Sequence, residues 1–153
     1  MSIFLWKISK IVFSNALDAN RLTNLTSISF GNFNTSNVTD MSCMFCCDFL
    51  TSLNLSNFNT SKVTDMSYMF EDCRSLTSLN LPSFDMSKVT NTTDMLAGRS
   101  SLTEIKTPKA IGSTAVDLPT KTGYLWVDQV NTNNTYTQIN STNVGKTLIL
   151  KEN

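Results

Sequence analysis

The ten residues from 33 to 42, FNTSNVTDMS, return at 58 to 67 as FNTSKVTDMS with one change. The match runs well past them. From Phe33 the chain reads FNTSNVTDMSCMFCCDFLTSLNLSN, and from Phe58 it reads FNTSKVTDMSYMFEDCRSLTSLNLPS. Phe33 to Phe58 is 25 positions and Phe58 to Phe84 is 26, because the first unit is one residue shorter between Phe45 and Leu50. A third, more divergent unit starts at Phe84 with FDMSKVTNTTDMLAGRSSLTEIKTPK, and half a unit, LTSISFGN from Leu25 to Asn32, precedes the first. Units of this length cannot each bury an apolar face alone and must stack on their neighbours. The repetition, from Leu22 to Lys109, therefore constrains architecture before it says anything about activity.

Each unit alternates two apolar patterns. Leu50-x-x-Leu53-x-Leu55 and Leu76-x-x-Leu79-x-Leu81 put the last two leucines on one face of a short strand, with the first turning the corner into it. Leu25, Ile28 and Phe30 fill these positions in the half unit, and Leu102, Ile105 and Thr107 in the third. The other half carries Val63, Met66, Met69 and Phe70, repeated as Val38, Met41, Met44 and Phe45 and, more weakly, as Val89, Thr92, Met95 and Leu96. Gaps of three and one suit one or two helical turns with an apolar side. Such a methionine and aromatic stripe is core rather than a cofactor box. The expected fold is a repeat solenoid of leucine-rich-repeat-like parallel β-strands with short helical turns, about 3.5 units of 25–26 residues. Residues 1–21 should form an N-terminal cap or strand, 22–109 the repeats, and 110–153 a small β cap. In that cap, strands are expected around Tyr124 to Val127, Tyr136 to Ile139 and Thr147 to Leu150, with a turn at Asn131 to Asn134.

Composition narrows the function classes. Of 153 residues 41% are hydrophobic and only 16% charged, so Ser, Thr and Asn must build most of the surface. Twelve Lys and Arg balance twelve Asp and Glu, which leaves no basic footprint for nucleic acid or an acidic membrane. Histidine is absent, and with it the commonest general base and the Ser/His/Asp and Cys/His nucleophile systems. No apolar run reaches the roughly eighteen residues of a spanning helix. The stretch MSIFLWKISKIVF is apolar and is followed by Ser14-Asn15-Ala16, but Lys7 and Lys10 interrupt it, so a mixed strand or turn is expected there rather than a cleaved signal peptide.

The unit, written FNTSNVTDMSxMFxxCxxLTSLxLSNF, resembles the BspA-like leucine-rich repeats of bacterial and some protozoan surface proteins, including related repeats in mycoplasma lipoproteins. The resemblance covers residues 25 to about 108. It implies a cell-surface or secreted protein that binds a host or neighbouring-cell protein or a glycan. The motif positions are structural, so no binding residue carries over from them. Departures lie at the cysteines: Cys73 holds the usual position, Cys46 and Cys47 fall in the shortened segment, Cys43 stands where the second unit has Tyr68, and Arg99 replaces the cysteine of the third unit.

Three constellations bear on chemistry. Cys43, Cys46, Cys47 and Cys73 supply one C-x-x-C pair, an adjacent thiol and a singleton, a poor match to a four-cysteine zinc site. Stacking would bring Cys47 near Cys73, leaving free thiols, one disulfide or a metal set as the readings. Carboxylates are too scattered to nominate an acid/base pair, and Asp40 and Asp65 sit at matching repeat positions on a solvated face. The outward strand face aligns Thr26, Thr51, Thr77 and Thr103, then Ser27, Ser52, Ser78 and Glu104, then Ser29, Asn54, Asn80 and Lys106. Candidate binding residues are Thr51, Ser52, Asn54, Thr77, Ser78, Asn80, Glu104 and Lys106. A single threonine column argues against ice binding. The expected function is a non-enzymatic binding or adhesion module acting through this face, with no cofactor and no metal. A structural spacer of a larger surface protein is the alternative, and a thiol or metal enzyme on the cysteines stands third.

Overall fold

A computed structural model describes residues 26–28, 30–45, 47–98 and 101–153. The expected N-terminal cap, Leu25, Ser29, Cys46 and Arg99 lie outside them. The strands are β1 Ser27–Ile28, β2 Ser52–Leu53, β3 Ser78–Asn80, β4 Asp85–Met86, β5 Glu104–Lys106, β6 Ala110–Ile111, β7 Val116–Asp117, β8 Tyr124–Asp128, β9 Thr135–Tyr136, β10 Gln138–Ile139 and β11 Thr147–Glu152.

The expected helical turns are not there; among the described residues the chain holds no helix. Where Val63 to Phe70 were expected to close i→i−4 bonds, none forms, and alternate amides reach the next unit instead. Met66, Tyr68, Phe70 and Asp72 donate N–H groups to the carbonyls of Asn91, Thr93, Met95 and Ala97 at 2.9–3.0 Å. Met41, Cys43 and Phe45 donate in the same way to Asp65, Ser67 and Met69, each at 2.9 Å. Left-handed φ values at Cys43 (54°), Tyr68 (57°), Asp72 (56°) and Asp94 (52°) interrupt every incipient helical turn. An amide committed between units cannot also serve a helix.

The sheets depart from the expectation as well. β1 pairs β2, β3 pairs β5 and β4 pairs β6 in parallel, but β2 and β3 do not pair. The largest sheet is mixed, in the order β3-β5-β11-β8-β9, with β11 antiparallel to both β5 and β8 and β8 antiparallel to β9. β7 and β10 form a further antiparallel pair. The expected leucine-rich-repeat-like parallel solenoid with helical turns is thus corrected to an all-β architecture of mixed, parallel and antiparallel sheets. Because β11 joins β5 to β8, strands from the repeat region and from residues 110–153 share one sheet.

The inward residues are those the spacing picked out. Val38, Met41, Met44, Phe45, Val63, Met66, Met69, Phe70, Leu76, Leu79, Leu81, Val89, Met95 and Leu96 are all buried in one cluster. Matching positions stack from unit to unit: Phe45 lies on Phe70 with centroids 5.6 Å apart and planes at 13°, and Phe58 on Phe84 at 6.4 Å and 8°. At about 25 cal/mol per Å² of apolar surface removed from water, burying each such side chain contributes on the order of 2 kcal/mol. Trp126, Ile139 and Leu148 extend the cluster into the C-terminal strands, where the Trp126 indole N–H donates to the Pro119 carbonyl at 2.8 Å.

Short polar side chains satisfy the backbone between strands. Asn34, Asn59 and Asp85 accept the amide two residues on, from Ser36, Ser61 and Ser87, at 2.9–3.1 Å. Asp40 accepts both the amide and the hydroxyl of Ser42, and Asp65 those of Ser67, so these carboxylates hold turns as well as meeting solvent. Buried Thr35 and Thr60 cross-link units through their hydroxyls.

Candidate binding face

Several outward strand residues bond back to the fold, Asn54 among them, whose side-chain carbonyl accepts the Ser56 amide at 3.1 Å. Thr51 donates its hydroxyl to the Thr26 carbonyl at 3.0 Å, and Thr103 donates to the Thr77 carbonyl at 3.3 Å. A second threonine column, Thr39, Thr64 and Thr90, behaves alike: Thr64 donates to the Thr39 carbonyl and Thr90 to that of Thr64, both at 3.2 Å. The repeated Val-Thr dipeptides carry this column, so the chain has two threonine columns rather than the single one expected. Its hydroxyl protons point along the stack, not outward.

Ser52, Asn54, Ser78 and Asn80 are exposed, and these four of the expected eight meet at one place. Together with Ser27, Ile28 and Leu53 they line a shallow depression of about 370 Å³ over the unpaired edges of β2 and β3. Its rim is hydroxyl and amide, its floor is the half-buried Ile28 and Leu53, and none of its lining residues is charged. Leu53 is half-buried where its repeat counterparts Leu79 and Ile105 are 1% and 0% exposed. Thr51 and Thr77 flank the depression without lining it. Glu104 and Lys106 stand one strand away on β5, opposite Ile149 and Thr147 of β11.

The backbone explains the opening. Thr77 accepts the Thr103 amide and Leu81 donates to the Lys106 carbonyl, both at 2.9 Å, so Thr77 and Leu81 face β5. Alternation along a parallel ladder then turns the peptide groups of Ser78 and Asn80 the other way, toward β2. Side chains bridge where the main chain does not. Ser75 donates to the Asp48 carbonyl at 2.7 Å at one end of the seam, and Ser83 to the Leu55 carbonyl at 3.0 Å at the other. The seam lies between the two units that differ in length by the residue missing between Phe45 and Leu50.

The cysteines form a separate feature. Cys47 and Cys73 are buried and Cys43 is half-buried. Cys73 donates to the Phe45 carbonyl at 2.7 Å, and burial pushes its pKa up to about 12. Burial, followed by the charge of Asp48, raises the Cys47 pKa too. Raised thiols are poor nucleophiles and poor metal ligands. No group of three or more His, Cys, Asp or Glu side chains among the described residues could hold a metal ion. Glu71 is raised by partial burial and then by the charges of Asp72 and Asp94, while Arg74 lies 3.3 Å from Asp72 and 3.6 Å from Asp48. Among the described residues no helix is long and apolar enough to cross a membrane.

Fold and face together define a repeat-built protein, all-β among the described residues, with an uncharged polar depression between β2 and β3. The family model described as "Mycoplasma protein of unknown function, DUF285" matches residues 7–111, more than half of the chain, and the chain belongs to that family. No curated protein and no solved structure matches it.

Proposed function

We propose that the chain is a non-enzymatic binding module, of the adhesive kind found among the BspA-like surface proteins its repeats resemble, and that it acts at a cell surface or after secretion. The observation that carries this reading is a division of labour within the repeat. Thr60, Asp65, Met66 and Phe70 are taken up by cross-links, turns and core, whereas Ser52, Asn54, Ser78 and Asn80 converge on an uncharged depression. Strand faces of repeat proteins are their usual recognition surfaces. The face offers a neutral partner hydrogen bonds without an electrostatic preference.

The test is a retention screen of the chain on immobilised matrix proteins and neutral glycans, run beside a variant carrying Ala at Ser52, Asn54, Ser78 and Asn80. Retention by the parent and its loss in an equally stable variant is the expected result. Retention that survives the four changes moves the site elsewhere. No retention at all favours the spacer role.

A further inference from the structure

We infer that the β2–β3 seam is a closed-ended site for a single uncharged sugar residue, such as the terminal unit of a neutral glycan. This rests on the binding reading above and narrows it to one ligand class. Three observations converge on it. The peptide groups of Ser78 and Asn80 turn toward β2 without a ladder partner, adding main-chain donors and acceptors to the hydroxyls of Ser27, Ser52 and Ser78, the Asn80 amide and the amide N–H groups of Asn54, whose side-chain carbonyl is held by the Ser56 amide at 3.1 Å. The floor of Ile28 and Leu53 suits the C–H face of a sugar ring. None of the lining residues is charged, so a carboxylated or phosphorylated ligand would lose its hydration without gaining a counter-charge.

Shape decides between a sugar and a peptide strand. A strand adding to a sheet edge needs an edge open at its ends. Here the Ser75–Asp48 bond closes one end and the Ser83–Leu55 bond the other. The depression of about 370 Å³ falls at the small end of ligand sites, the range of one or two sugar rings rather than of a polypeptide segment.

The experiment is an NMR titration of the whole chain with glucose, galactose, mannose, N-acetylglucosamine and lactose, with glucuronic acid as the charged control. A peptide of sequence LTSLNLSN is the strand control. At least one neutral sugar should bind at about 1 mM, shifting the amides of Leu53 and Asn80 first. Asn80→Ala and Ser52→Ala should each weaken it roughly tenfold, the loss of about 1.4 kcal/mol expected for one neutral hydrogen bond. Glucuronic acid should bind at least tenfold more weakly. The inference is overturned if no neutral sugar shifts those amides by about 50 mM, if glucuronic acid binds equally well, or if the peptide binds there instead. Should the sugars fail while the fourfold variant still loses retention on a matrix protein, the sugar inference falls and the binding reading stands.

Discussion

Thr60 and Asp85 exchange two hydrogen bonds across the unit boundary: the Thr60 hydroxyl donates to the Asp85 carbonyl at 2.9 Å and accepts the Asp85 amide at 2.8 Å. Thr35 does the same to Asn59 one unit earlier, at 2.9 and 2.8 Å. A buried hydroxyl thus stands in for two ladder bonds, and at Thr60 it reaches the first residue of β4 from outside any strand. Thr60→Val keeps the volume and strands both partners, so it should cost about 1–3 kcal/mol in urea unfolding. Thr64→Val, at an exposed position whose backbone bonds remain, should change stability by less than about 0.5 kcal/mol.

Phe70 stacks on Phe45 and is 3% exposed. Phe70→Ala should lose about 3–5 kcal/mol, read as a fall in the denaturation midpoint. A loss below about 1 kcal/mol would place the ring outside the core.

Asp128 and Lys146 pair at 2.6 Å in the C-terminal part of the mixed sheet. The hydrogen bond from Lys146 and then the Val130 amide lower the Asp128 pKa, while the hydrogen bond to Asp128 raises that of Lys146. A lowered carboxylate contributes stability above its unfolded pKa of about 3.9 and loses it as the pH falls through the lower folded value. A raised lysine contributes below about 10.4 and loses it as the pH rises through the higher folded value. Asp128→Asn should therefore unfold more easily than the parent between about pH 5 and 9. The two midpoints should converge toward pH 2.

Cys73, buried and pushed up to about 12, should resist iodoacetamide at pH 8 in the folded protein and react only when urea exposes it. Half-buried Cys43 should be modified ahead of it. Peptide mapping of the alkylated protein gives the order.

The core was legible because spacing alone selects the inward residues. Val63, Met66, Met69 and Phe70 turn inward in a helical turn and equally in the observed chain of tight turns. What separates the two is the destination of the Met66, Tyr68 and Phe70 amides, and that is set by the neighbouring unit. The left-handed residues Tyr68 and Asp72 carry no glycine signal that would have flagged the break. Thr147 to Leu150 was readable as a strand from its β-branched and apolar residues. Its place between β5 and β8 was not, since that pairing joins residues some forty positions apart on one side.

On the binding face, Ser52, Asn54, Ser78 and Asn80 were visible as a polar row. The seam between them was not, because LTSLNL is identical in both units and the pairing fails between identical strings. It coincides with a difference outside the strand, the residue missing before Leu50, which no reading of the strand itself reveals.

That seam underlies both the binding reading and the sugar site, and amide hydrogen exchange tests it at two adjacent residues. Leu81 donates its amide to the Lys106 carbonyl at 2.9 Å, whereas the Asn80 amide turns toward the opening. Asn80 should exchange at least about a hundredfold faster than Leu81, a difference of about 2.7 kcal/mol in local protection. Equal protection at the two amides would mean that β2 and β3 pair in solution, and the depression would not exist.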